Sequence, residues 1–108
     1  MFYELRIYTT VDGRLPDLLA RFEHHTIGLW ARHGIKPAGF WTTIVGRSAQ
    51  QLTYLLVWTS LDDRQKKMEA FRSDPDWLAV VAETERDGPL IVNVENSLLQ
   101  PTTFSTVT

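Results

Sequence analysis

The 108 residues are one domain by length, enough to bury a small single core. Net charge is −2 with both signs mixed along the chain, which argues against a phosphate-tracking nucleic-acid surface; the absence of cysteine excludes disulfides and thiolate metal sites. No apolar run approaches the ~20 residues that span a membrane. The opening "MFYELRIY" sets Glu4 and Arg6 where a signal peptide carries apolar residues, so a cytoplasmic location is expected.

In chain order, "FYELRIYTT" (2–10) alternates as a strand, with Tyr3, Leu5 and Ile7 on one face and Phe2, Glu4, Arg6 and Tyr8 on the other. Asp12-Gly13 breaks it, and Pro16 suits the first turn of a helix. From Leu15 to His33 the spacing of Leu15, Leu18, Leu19, Phe22, Thr26, Leu29 and Trp30 predicts a helix, with Gly34 as its C′ residue. "IKPAGFWTTIVG" (35–46) reads as a second strand disturbed by Pro37. "LTYLLVWTS" (52–60) reads as a third, apolar on both faces and therefore central. "SLDDRQKKMEAFR" opens with S-x-x-D, a weak capping box, and begins a second helix. Pro75 restarts it at an angle. "LIVNVENSLL" (90–99) is the last strand, and residues 100–108 form a polar tail anchored only by Phe104.

The order β-α-β-β-α-β predicts an α+β, ferredoxin-like domain over 1–108, with a four-stranded antiparallel sheet whose first and third strands are central. Two helices cover one face only. If Tyr3, Leu5 and Ile7 face the helices, the open face carries Phe2, Tyr8, Tyr54, Leu56 and Trp58, too much apolar surface to leave in water. A second copy, packed sheet against sheet, is the expected cover.

The segments "FYELRIYT", "RHGIKPAGFWTT", "LVWTSLDDR", "SDPDW" and "VENSLLQPTTF", in this order and spacing, resemble the NIPSNAP family over residues 2–104. Thr103 departs from that pattern, where a second proline is expected. The resemblance implies a dimeric α/β barrel, two four-stranded sheets facing each other with helices outside. It carries over no catalytic residue.

All three histidines fall within "FEHHTIGLWARHG". His24 and His25 diverge by about 100° around a helix, and His25 and His33 stand roughly 12 Å apart along it. No pair has the i, i+4 spacing that chelates one metal, so no metal site is expected. His24 reads as solvated, His25 as bordering the apolar stripe within reach of a cavity edge, and His33 as a group of the last turn meeting free carbonyls. Arg64, Lys66 and Lys67 read as an ordinary solvated helix face. Trp30 and Trp41 read as packing residues.

The more informative polar group is Glu4 with Arg6, about 7 Å apart on one face of a central strand. Asn93 and Glu95 share a face of the neighbouring last strand. These four are expected to converge with Tyr8, Tyr54 and Trp58 inside the barrel. Buried charges there must be paired. One reading is a salt-bridge network that fixes the dimer. The other is a ligand pocket with aromatic walls and few polar groups, Arg6, Tyr8, Tyr54, Trp58 and Asn93 binding a small, largely apolar or anionic molecule.

Three functions remain open: a small-ligand binder; a cofactor-independent oxygenase or isomerase using Arg6, Glu4 and Glu95, with His25 a further catalytic candidate; and a non-catalytic interaction module. The enzyme reading is fold analogy. No cofactor is expected, and haem is disfavoured because no histidine stands on the second helix or at the strand ends.

Overall fold

The computed structural model describes residues 1–107; of the tail expected over 100–108, Thr108 lies outside the described residues. The chain runs β1 (Phe2–Thr10), α1 (Leu15–Arg21), a π-helical turn (Phe22–Thr26), α2 (Ile27–Arg32), β2 (Lys36–Thr42), β3 (Gln51–Trp58), α3 (Leu61–Arg72), α4 (Pro75–Thr84) and β4 (Ile91–Leu99). The sheet is antiparallel in the order β2-β3-β1-β4, an α+β, ferredoxin-like arrangement with β1 and β3 central.

The single helix expected over 15–33 is interrupted. Leu18, Phe22, Thr26 and Trp30 are all buried and stand four apart, a spacing that drifts off one face of a 3.6-residue helix. The wider π turn takes up the drift. The Ile27 N–H donates to the Phe22 carbonyl, and the Thr26 hydroxyl donates to the Arg21 carbonyl at 3.3 Å. Gly34, at φ 71°, ends the run in the left-handed conformation that the sequence assigns it. β2 is shorter than expected and stops at Thr42; Ile44 and Val45 stand almost fully in solvent. At the head of α3 the Ser60 hydroxyl accepts from the Asp63 N–H at 3.0 Å, and Asp63 in turn accepts from the Thr59 N–H at 3.1 Å. Asp74 caps α4 by accepting from the Asp76 N–H at 2.9 Å, with Pro75 at the first helical position.

The core lies between helices and sheet: Leu18, Phe22, Leu29, Trp30, Met68 and Phe71 pack on Leu52, Tyr54, Leu56 and Trp58. This reverses the sheet sides expected from sequence. Opposed residues in an antiparallel pair point the same way, and Glu4 opposes Leu56, Arg6 opposes Tyr54 and Tyr8 opposes Leu52. The charged face of β1 therefore lies under the helices. The open face carries Leu5, Ile7, Leu55 and Val57 instead, all half-buried within the single chain. The wide aromatic side chains decide the side, because Phe22, Trp30, Phe40 and Tyr54 form one cluster with ring centroids 5.4–6.2 Å apart.

Candidate functional site

Glu4 is fully buried beneath the helix layer. Its carboxylate accepts at one oxygen from Trp58 Nε1 (3.0 Å) and Arg64 Nε (2.8 Å). At the other it accepts from Arg64 Nη2, Arg6 Nη1 and Asn96 Nδ2, each at 3.0 Å. The Arg64 fork is bidentate. Burial pushes the Glu4 pKa up, but the hydrogen bonds from Arg64 and Asn96, the Arg6 charge and the Trp58 bond together outweigh it and hold the group at about 2. Glu4 is thus a permanent anion with both oxygens occupied. It orients its neighbours and has no capacity left to accept a proton from a substrate at neutral pH.

Arg6 donates through Nε to the Tyr54 hydroxyl at 2.9 Å and through Nη2 to the Tyr8 hydroxyl at 3.2 Å. Burial disfavours its charge, but the two tyrosine oxygens beside it outweigh that and keep the pKa above its ordinary range. Burial is also the first cause raising the Tyr54 pKa, so the phenol stays protonated. Tyr8 meets Tyr54 and Phe22 edge-on.

Eight of the residues singled out in the sequence are placed as follows. Glu4, Arg6, Tyr8, Tyr54 and Trp58 meet as expected, on the helix side rather than inside a sheet-to-sheet barrel. Glu95 does not join them. Val94 shares the side of Tyr8, which turns Asn93 and Glu95 to the opposite face, where they border a polar cleft of about 280 Å³ with Arg47. The expected convergence of Arg6 with Asn93 and Glu95 is therefore corrected: strand parity puts the sheet between them. No Arg6–Glu4–Glu95 acid–base set is assembled within the chain. His25 is exposed on the π turn and borders an outer cleft with Asp17, Arg21 and Asp87, away from the cluster.

Two members were missed. Arg64, read as a solvated surface residue, reaches back from α3 to Glu4. Asn96, one residue beyond Glu95, is the β4 residue opposite Arg6. Correct strand parity would have found Asn96; a helix periodicity that starts α3 at Leu61 would have turned Arg64 inward. His33 ends α2 and bonds Asp74 through Nε2 at 2.7 Å, tying the first helical run to the α4 cap. That hydrogen bond is the first cause of a lowered Asp74 pKa. Among the described residues, no group of three or more His, Cys, Asp or Glu side chains could hold a metal ion.

Beside the cluster lies an apolar groove of about 240 Å³ bordered by Phe2, Leu61, Leu98, Leu99 and Gln100. Leu98 stands directly opposite Glu4 across the β1–β4 ladder. Phe2 lies one alternation from Glu4 on the same face, and Leu61 precedes Arg64 by three residues on α3. The helices leave β4 uncovered, with Val94 and Leu98 both more than 40% exposed.

The NIPSNAP family model matches residues 3–106. The chain is similar to a solved NIPSNAP family protein of unknown function from Agrobacterium tumefaciens, at 30% identity, TM-score 0.87, covering 100% of this chain and 94% of that one. A second NIPSNAP family protein from the same organism is 27% identical, with TM-score 0.87 and coverage of 99% and 98%. A putative antibiotic biosynthesis monooxygenase from Chloroflexus aurantiacus, 14% identical with TM-score 0.58 and full coverage of both chains, shares the fold alone. No curated protein matches the chain. With the family model spanning all but the ends, and the solved family proteins superposing along the whole length, the chain belongs to the NIPSNAP family.

Proposed function

We propose that this protein is a cytoplasmic homodimer that binds a small, largely apolar molecule on the helix side of the sheet, at the groove beside the Glu4–Arg6–Arg64 centre. One observation carries the reading: an apolar groove abuts a charged cluster whose side chains are locked in place before any ligand arrives. Small-molecule sites combine apolar lining with a few fixed polar groups in this way. At about 240 Å³ the groove is smaller than the ~300–1,000 Å³ of drug-sized sites, so the ligand is fragment-sized. Tyr8, Tyr54 and Trp58 support the site by holding Arg6 and Glu4. Asn93 lies on the other sheet face and has no part in this reading.

The homodimer rests on the open face. Leu5, Ile7, Leu55 and Val57 form a continuous apolar centre that the helices of the same chain do not cover.

The test is a thermal-shift screen of small aromatic and aliphatic compounds on the wild-type chain and on Leu98→Asp, which charges the groove wall without touching the core. Stabilisation of the wild type that Leu98→Asp abolishes supports the site. Equal stabilisation of both places binding elsewhere.

A further inference from the structure

The charges of the helix-side centre do not balance. Arg6 and Arg64 both pair with Glu4, and neither has another carboxylate partner among the described residues. Two guanidinium charges therefore share one carboxylate, and one positive charge is left over, with Arg6 buried and Arg64 half-buried. A guanidinium has five N–H donors. Arg6 uses three of them, on Tyr54, Glu4 and Tyr8. Arg64 uses two, both on Glu4, which leaves its Nη1 group without a partner among the described residues. The Arg64 side chain is 22% exposed, so those free donors are reachable from solvent. Glu4, by contrast, has no exposed surface and both of its oxygens are taken.

The centre thus offers donors and one net positive charge, and no free acceptor. A cationic head group would meet like charge with nothing to bond. A neutral head group would leave the surplus charge uncompensated. A single carboxylate fits both the charge and the planar fork of N–H groups. The groove supplies the remainder of the molecule: Leu61 is one helical turn before Arg64, and Leu98 opposes Glu4, the carboxylate that Arg64 grips, so groove wall and guanidinium are neighbours on one side of the sheet.

We infer that the ligand is an amphipathic monocarboxylic acid, its carboxylate taken by Arg64 with Arg6 behind it and its short apolar body lying in the groove; this rests on the binding site proposed above. Arg64 is then the specificity-determining residue, and Glu4 is the positioning residue that holds its guanidinium in place.

The experiment is calorimetric titration with four probes of matched shape: 3-phenylpropionate, 3-phenylpropanamide, 3-phenylpropanol and 3-phenylpropylamine. The wild-type chain is expected to bind the acid at least about tenfold more tightly than the amide or the alcohol, and the amine least tightly. That preference should shrink as salt rises. Arg64→Gln should remove the preference for the acid over the amide, and Arg64→Lys should restore part of it. The wild-type comparison and its salt dependence stand without either variant. Equal binding of acid, amide and alcohol overturns the inference and leaves the groove reading intact. No binding by any probe overturns both. If no probe binds and Leu98→Asp weakens self-association, the groove belongs to a second copy of the chain and the inference is overturned.

Discussion

Glu4→Gln removes one charge and keeps the side-chain shape, and the cost follows from the bonds it breaks. The carboxylate accepts five hydrogen bonds, and an amide at the same place turns an NH₂ toward donors of Arg64, Arg6, Trp58 or Asn96. Two guanidiniums are left without their counter-ion. Breaking a buried pair from one side costs about 3–5 kcal/mol. The pKa gives an independent figure. Lowering Glu4 from 4.5 to about 2 corresponds to about 3 kcal/mol of stability linked to its ionisation. The folded value lies below the unfolded one, so this stability is present above pH about 4.5 and is lost as pH falls toward 2; by pH 3 about 2 kcal/mol of it is gone. Urea unfolding followed by tryptophan fluorescence, at fixed chain concentration because a dimer's stability depends on it, measures both. The variant should be about 3–5 kcal/mol less stable at pH 7. The gap should narrow by about 2 kcal/mol at pH 3, where the wild type loses what the variant never had. A gap below about 1 kcal/mol at pH 7, or one that does not change with pH, would refute the reasoning.

Arg6→Met should cost about 1–3 kcal/mol in the same assay, less than Glu4→Gln, because Glu4 keeps Arg64, Trp58 and Asn96 when Arg6 is gone. Leu55→Glu on the open face should shift light-scattering mass from twice the 12.4 kDa chain toward the single chain; a wild-type protein already at 12.4 kDa at micromolar concentration would contradict the homodimer. His24→Ala and His25→Ala, both on exposed positions of the π turn, should each change stability by less than about 0.5 kcal/mol. Deleting residues 101–108 should weaken the dimer if Phe104, 85% exposed on the single chain, seats on the partner; unchanged dissociation would show a free end.

The fold was legible because its signals are local. Alternation in "FYELRIYTT", the two-sided apolar run "LTYLLVWTS", Ser60 before α3 and Pro75 before α4 each fix one element, and their order fixes the topology. The π turn was less legible, since a four-residue spacing of buried side chains reads as ordinary helix until the drift is counted from Leu18 to Trp30. Grouping Glu4, Arg6 and Tyr8 with Tyr54 and Trp58 was also legible, because strand parity alone sets it. Which side faced the helices was not. Glu4 lies under the helices because Arg64 arrives from α3, distant in sequence, to balance it where it is buried. The same inversion parts Glu4 and Arg6 from Glu95 and hid Asn96.

The most direct test of the proposed site is NMR mapping of 3-phenylpropionate on the protein, following the Arg Nε–H signals together with the leucine and isoleucine methyl groups. The Arg64 and Arg6 Nε signals and the Leu61 and Leu98 methyls should move together along one saturating curve. The Ile7 and Leu55 methyls, on the other side of the sheet, should stay fixed. Shifts confined to Ile7 and Leu55, with Arg64 and Leu98 unmoved, would contradict it.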